Sequence, residues 1–320
     1  GGERHPPLPR GRTMSKRSVT NQAASVRQRL LNLAKASGRP FNEVLQHYAL
    51  ERWLYRLSRS EHAERFVLKG ALLLRVWDVA VGRPTRDIDL LARTSNDLDS
   101  VRTVVEAICG TSVEDDGMKF DSNSVTTERI SEDADYEGVR ATFGGLLGTA
   151  RCPMQIDMGF SDVVTPRPVE IDYPTILDLP APHLRAYNRE TVIAEKLEAM
   201  VKLGELNSRM KDFFDVWALA ANHSFSGPEL VETVRATFTR RGTAMDVSAP
   251  CFTDEFGSLD AKAKQWGAFI RRGELTKAPS SFHEVWQDTM AFLRPVAEVV
   301  PSNLPFEMTW APGGPWLPAK

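Results

Sequence analysis

The sequence predicts an α+β protein, a mixed sheet with helices followed by a mainly α-helical C-terminal region. Residues 87–90 and 154–160 alternate strictly between polar and apolar side chains, the period of a half-buried strand. From Asn188 onward apolar residues recur instead every three or four positions, the period of helices with one buried face. The proline-punctuated stretch Pro174 to Pro182 separates the two regimes. With 320 residues, 42% hydrophobic and 26% charged, the chain has an ordinary globular composition, sufficient for one core and a second subdomain. The expected organisation is a tail at 1–20, N-terminal helices at 21–60, a sheet core at 61–180, a helical region at 181–300 and a Pro/Trp-rich tail at 301–320.

Residues 1–20 are rich in Pro, Gly and Arg and show no apolar period, so disorder is expected there. Met14 reads as a natural start, with the residues before it an upstream extension or an expression remnant. Val26, Leu30 and Leu33 then mark a helix that stops at Gly38-Arg39-Pro40. Phe41, Val44, Leu45, Tyr48, Trp53 and Leu57 mark a longer one. Both read as packing elements. Phe66-Val67-Leu68 is a short buried strand, Lys69-Gly70-Ala71 breaks it, and Ala71 to Trp77 reads as a helix.

The stretch that organises the chain is Gly82-Arg83-Pro84-Thr85-Arg86-Asp87-Ile88-Asp89-Leu90-Leu91. Ile88 and Leu90 point one way, Asp87 and Asp89 the other. Positions i and i+2 of a strand lie about 6.5 Å apart, so the two carboxylates can converge on a hard cation with oxygen ligands about 2.1 Å away. An isolated Asp-x-Asp more often solvates an open strand face, and the pair alone decides nothing. The preceding turn adds a reason: Gly70 permits close backbone approach, a helix N-terminus offers N–H groups to an anion, and Lys69 adds a point charge.

A second Asp-x-Asp, Asp97-Leu98-Asp99, directly precedes the apolar run Val101 to Ile108. Asn96 or Asp97 reads as the N-cap of a helix with acidic residues in its first turn, and Cys109-Gly110 ends that helix. Residues 111–150 suggest a meander, with strands at Phe120 to Ile130 and Val139 to Phe143 around an acidic loop from Ser131 to Gly138. Gly144 to Gly148 reads as a hairpin turn, since Lys and Ser/Thr are not at phosphate-loop offsets. Met154, Ile156 and Met158 alternate with Gln155, Asp157 and Gly159. Asp157 therefore lies on the polar face of a strand in an otherwise apolar setting, where a solvated strand residue is the plain reading.

In the second half, Asn188 caps a helix with Ile193, Leu197, Met200 and Val201 on its buried face, and Lys196 lies beside that face. The next helix spaces Arg209, Asp212 and Asp215 at i, i+3 and i+6, one polar network along one side, with Met210, Phe214, Trp217 and Ala221 on the opposite, buried side. Pro228 to Phe238, Ser258 to Arg271 and Phe282 to Val300 read as further helices. The tail, with its Trp and Pro, is expected to dock as an irregular strap.

The Lys69-Gly70-Ala71 turn, the Asp87–Leu91 strand, the later Asp157 strand and the pair of helices carrying Lys196 and Arg209–Asp215 together resemble the nucleotidyltransferase toxins of the AbiEii/AbiGii (MenT-like) group, within the DNA polymerase β-like nucleotidyltransferase superfamily. The resemblance covers Phe66–Leu91, Met154–Phe160 and Tyr187–Leu219. It implies a polymerase β-like core and transfer of a nucleotide from an NTP, dependent on Mg²⁺ or Mn²⁺. Asp87 and Asp89 would hold the metal, and Asp157 would take the proton of the attacking hydroxyl or complete the metal shell. Lys69, Gly70, Arg86 and Lys196 would bind the nucleotide, with Asp212 at the same site. By the same resemblance the acceptor is RNA, such as the tRNA 3′ end, so that transfer blocks translation, and the partner is a cognate antitoxin. Ala71 stands where the family turn carries Gly or Ser, so a hydroxyl contact to phosphate is missing there.

Composition bounds the rest. No apolar run of the roughly 18 residues a membrane span needs is present. Cys109, Cys152 and Cys251 form neither a disulfide framework nor, with six scattered His, a zinc pattern, which suits the cytoplasm. Net charge is −2, but residues 1–40 hold nine Lys/Arg against one acidic residue, a basic face able to meet nucleic acid or simply a solvated surface. The alternatives are a transferase acting on a small hydroxylated molecule or a protein, and a catalytically silent NTP-binding regulatory module.

Overall fold

The computed structural model describes residues 21–79, 85–132, 136–302 and 304–319. The disorder expected at 1–20, Gly82 to Pro84 of the Asp-x-Asp stretch and residues 133–135 of the acidic loop lie outside the described residues. The fold class is the α+β expected.

Asn21 caps α1 (Gln22–Ser37), accepting from the Ala24 N–H at 3.0 Å, and Gly38 ends it in the left-handed region. α2 (Phe41–Arg59) follows, then β1 (Phe66–Lys69), α3 (Leu73–Val76), β2 (Ile88–Ala92), α4 (Leu98–Cys109), β3 (Met118–Glu132), β4 (Tyr136–Leu147), β5 (Ala150–Gly159), β6 (Val169–Asp172) and β7 (His183–Ala186). These strands form one seven-stranded sheet in the order β3-β4-β5-β2-β1-β7-β6. It is mixed: β2 runs parallel to β5 and β1 parallel to β7, and the other pairs are antiparallel.

One face of this sheet is apolar. Leu68, Ile88, Leu90, Ala141 and Ile156 are cross-strand neighbours and all buried. α2 and α4 cover that side, with Trp53 of α2 against Phe143 of β4. Asp97 does cap α4, accepting from the Ser100 N–H at 2.9 Å, so the second Asp-x-Asp is a cap.

The helical half comprises α5 (Arg189–Leu203), α6 (Met210–Asn222), β8 (Phe225–Ser226), α7 (Gly227–Arg241), α8 (Asp254–Ser258), α9 (Asp260–Arg272) and α10 (Phe282–Val299). β9 (Met308–Trp310) and β10 (Trp316–Pro318) pair with β8 in a three-stranded sheet.

Several elements differ from the sequence reading. The helix expected over Ala71 to Trp77 is the single turn α3, because Leu72, Leu73 and Leu74 are all drawn into the core. Its first N–H groups close the turn, Leu73 onto Gly70 O and Leu74 onto Ala71 O, each at 3.2 Å, so the helix-terminus argument for an anion there falls away. Gly144 and Gly145 belong to β4 and pair with Pro153 and Cys152; the hairpin turn comes later, at Gly148 with φ +59°. The proline stretch 174–182 connects β6 to β7, so the sheet continues past residue 180. The tail docks, but as a regular hairpin rather than an irregular strap. Trp310 and Trp316 pack on Phe292, and their indole N–H groups donate to Ala220 O at 2.8 Å and Phe292 O at 2.9 Å.

α2 carries charge into the core. Arg56 grips the Asp116 carboxylate through two nitrogens at 2.8 and 3.1 Å and donates to Met118 O at 3.0 Å. Removing one partner of such a buried pair strands the other charge, so Asp116→Ala should destabilise the protein by about 3–5 kcal/mol. Arg56→Met combined with Asp116→Ala should recover most of that loss. Urea unfolding measures both, and a single variant no less stable than the double would refute the pair's role.

Candidate active site

The opposite face of the central strands carries one row of charge. Register sets Lys69 beside Asp89, Asp89 beside Asp157, and Asp157 beside Arg140. Partners directly across a ladder share a face, so the row runs cation, anion, anion, cation across β1, β2, β5 and β4. Asp87, just before β2, belongs to the same side. Its carboxylate accepts from the Thr85 hydroxyl at 2.8 Å and from the Arg86 backbone N–H at 3.2 Å. Asp87, Asp89 and Asp157 each offer an oxygen, and these oxygens all lie within 4.8 Å of one another. A compact set of carboxylate oxygens is the donor set for a hard divalent cation. The three carboxylates singled out in the sequence are thus brought together.

Gly70 is explained by the same site. Its φ is +78°, and a Cβ there would fall on the Asp89 carboxylate. The glycine makes room for a side chain of the protein itself.

Lys69 is buried and donates to Asp162 at 3.3 Å. Asp162, in the loop after β5, also accepts from Arg241 at the end of α7, at 2.9 and 3.2 Å. Arg241 reaches Glu198 at 3.0 Å and Glu195 at 3.3 Å on α5, and the Tyr187 hydroxyl donates to Glu195 at 3.0 Å. Burial pushes the Asp162 carboxyl up, but Lys69 and Arg241 outweigh it and hold it below the usual carboxylate range. Burial and the nearby Asp162 push Glu195 up to about 7, against the pull of Lys69 and Arg241. Lys69 is therefore one member of a charge network that ties the sheet to the helical half.

Lys196 lies on α5, 14% exposed at its side chain, and bridges Asp212 at 2.9 Å and Asp215 at 2.8 Å on α6. Arg209 closes on Asp212 at 2.7 Å. Both carboxylates are buried, so the side of α6 that reads as polar faces counter-charge rather than water. Burial raises the Asp212 carboxyl, yet Lys196 and then Arg209 hold it below its ordinary value. Arg86 is exposed, at the rim beside Asp87. A groove of about 590 Å³ opens between the start of α6 and α9, lined by Arg209, Lys211, Gln265, Phe269 and Arg272. It contains none of the three site carboxylates.

Residues 52–288 match the family described as nucleotidyl transferase AbiEii toxin, type IV toxin–antitoxin system. The chain belongs to this family. It is accordingly a nucleotidyltransferase of the AbiEii toxin family, and the type IV system implies a cognate antitoxin. Two solved structures are similar: a candidate nucleotidyltransferase from H. pylori, at 14% identity and a TM-score of 0.47, covering 82% of this chain and 98% of its own. The other is JHP933 from Helicobacter pylori, at 14% identity and a TM-score of 0.45, covering 89% of this chain and 96% of its own. No curated protein matches. Among the described residues no helix is long and apolar enough to cross a membrane.

Sequence reading of this AbiEii-family chain missed Arg140, Asp162, Glu195, Glu198 and Arg241. For Arg140 a signal existed: it alternates with Val139 and Ala141 at period two, like the aspartates. Asp162 lies in a loop and Arg241 at a helix end, while Glu195 and Glu198 are mid-helix charges on α5 whose distant partner no period marks.

Gly70→Ala places a Cβ against Asp89 and forces a non-glycine residue into the left-handed region. It should cost about 1–2 kcal/mol in chemical unfolding and abolish nucleotide transfer by displacing Asp89. Unchanged stability with normal transfer would show that the glycine is not shaped to this carboxylate.

Proposed function

We propose that this toxin transfers a nucleotide from an NTP to an RNA acceptor, the tRNA 3′ end being the favoured one, with Mg²⁺ held by Asp87 and Asp89. The observation that carries the reading is the convergence of Asp87, Asp89 and Asp157, with oxygens within 4.8 Å, in a chain of a nucleotidyltransferase family. The carboxylates fit a hard cation in charge and donor type, and Mn²⁺ suits the same oxygens. When bound, the metal supplies charge neutralisation at the α-phosphate as pyrophosphate leaves.

The chain's own residues do the rest. The Thr85 hydroxyl and the Arg86 N–H fix the Asp87 carboxylate, and Gly70 leaves Asp89 its space. Asp157 stands beside Asp89 to receive the acceptor's proton or to complete the metal shell. Lys69, with the Gly70 backbone, and Arg86 at the rim are the proposed nucleotide contacts nearest the carboxylates. Lys196 adds positive charge from α5, and Asp212 orients it through their 2.9 Å contact. Since Lys196 is also the counter-charge of two buried aspartates, Lys196→Ala would disturb the fold as well as the chemistry, and Lys196→Arg is the cleaner probe.

Asp87→Asn and Asp89→Asn should abolish pyrophosphate release with all four labelled NTPs and total RNA, while leaving the unfolding midpoint unchanged or higher, because each removes like-charge repulsion. Activity retained in both variants would refute the site assignment. Activity with small hydroxylated acceptors or proteins but not with RNA would replace the acceptor.

For RNA, the supporting feature is basic surface. α1 presents Arg27, Arg29 and Lys35, and Arg39 follows it, paired with Glu43 at 3.2 Å. Phosphate contacts release counterions, so each lost contact should flatten the log–log salt slope by about 0.9 or less. Arg27, Arg29 and Arg39 changed together to Ala should weaken transfer to RNA and its salt dependence without altering NTP binding. Parallel salt curves for the triple variant and wild type would exclude this face as the RNA path.

A further inference from the structure

Arg140 holds Asp157 by both oxygens, Nε to one and Nη2 to the other, each at 2.8 Å. The two residues are direct partners on β4 and β5, so the grip is a product of register. Their exposures differ: the Arg140 side chain is 33% accessible and that of Asp157 9%. The carboxylate is therefore fixed in place, while the guanidinium has a solvent side to move toward. Across β5, Asp89 presents the neighbouring carboxylate, and Asp87 completes the cluster. The exposed Glu128 stands directly across from Arg140 on β3, giving the guanidinium a second anion on its far side. A cation entering between the three aspartates would draw on the oxygens that Arg140 now occupies, and would sit close to its charge.

We propose that Arg140 is the resting counter-ion of Asp157 and controls its entry into the metal-binding set. Asp157 joins Asp87 and Asp89 as a ligand only as Arg140 releases an oxygen, and the freed guanidinium then meets the phosphates of the incoming nucleotide. The inference rests on the metal reading of the three aspartates. Until nucleotide arrives Arg140 acts only through Asp157, as a positioning residue, and it touches the substrate only after release. Its consequence is that the protein without nucleotide binds divalent metal weakly, because the metal must displace an internal cation. A nucleotide strengthens that binding by offering Arg140 another anion.

The test is calorimetric titration of the full chain with Mn²⁺, without nucleotide, so that its readout is independent of turnover. Arg140→Gln should bind Mn²⁺ about tenfold or more tightly than wild type. Arg140→Lys, which keeps the charge but cannot engage both oxygens in the same plane, should give a smaller gain. In an Asp157→Asn background the Arg140→Gln gain should largely disappear, because the competed ligand is already neutral. Arg140→Gln within twofold of wild type would overturn the Arg140 assignment while leaving the aspartate site standing. A gain that persists undiminished in the Asp157→Asn background would overturn it as well, reducing the effect to net charge. Failure of wild type and every variant to bind Mn²⁺ would instead overturn the metal reading beneath it.

Discussion

The site depends on holding like charges side by side. Asp89 and Asp157 are direct partners on adjacent parallel strands, and like charges in that position destabilise a sheet. The flanking positions answer this: Lys69 stands across from Asp89 and Arg140 across from Asp157. The opposite face of the same strands is apolar and closed by α2 and α4, with Leu68, Ile88, Leu90 and Ile156 buried. Burial on one face supplies the stability against which the charged face is held. Strict alternation is what separates the two, since a one-residue slip would exchange them.

The same requirement shapes the surroundings. A glycine at 70 is needed because the Asp89 carboxylate lies where a Cβ would be. Lys69 answers to two carboxylates, Asp89 across the ladder and Asp162 at 3.3 Å. Asp162 passes the balance on to Arg241, which Glu195 and Glu198 of α5 balance in turn. Charge is compensated along a connected path, each group buried only because the next is there.

The parts of this arrangement legible in the sequence are those that a period exposes. The alternation around Asp87 to Leu91 and around Asp157 gave both central strands and the shared polar side, because one face is core and the other is not. β6 and β7 do alternate, as Val169-Glu170-Ile171-Asp172 and His183-Leu184-Arg185-Ala186, but over only four residues each, too short a run to stand out on either side of the proline stretch, and so the sheet looked as though it ended before it. Asp212 and Asp215 were legible as one stripe of α6, but a stripe of charge looks the same whether it faces water or Lys196. The docking of the tail followed from its tryptophans. Its hairpin did not, because pairing with the two-residue β8 is a matter of tertiary position. Arg241 and Asp162 lie 79 residues apart, and no local pattern connects them.

That long-range pairing bears on what the helical half is for. If α5 to α7 were only a scaffold beside an independent catalytic sheet, their contacts with it would be apolar and interchangeable. The sheet instead reaches them through Lys69 and Asp162, and the helices answer with Arg241. Without α7, Asp162 would lose its hydrogen bonds from Arg241, and Lys69 would be held by a carboxylate left half-compensated in a largely buried setting. The network anchors the cation that begins the charged row. In this chain the helical half completes the charge balance at the edge of the sheet's polar row, through Arg241 on Asp162 and Asp162 on Lys69.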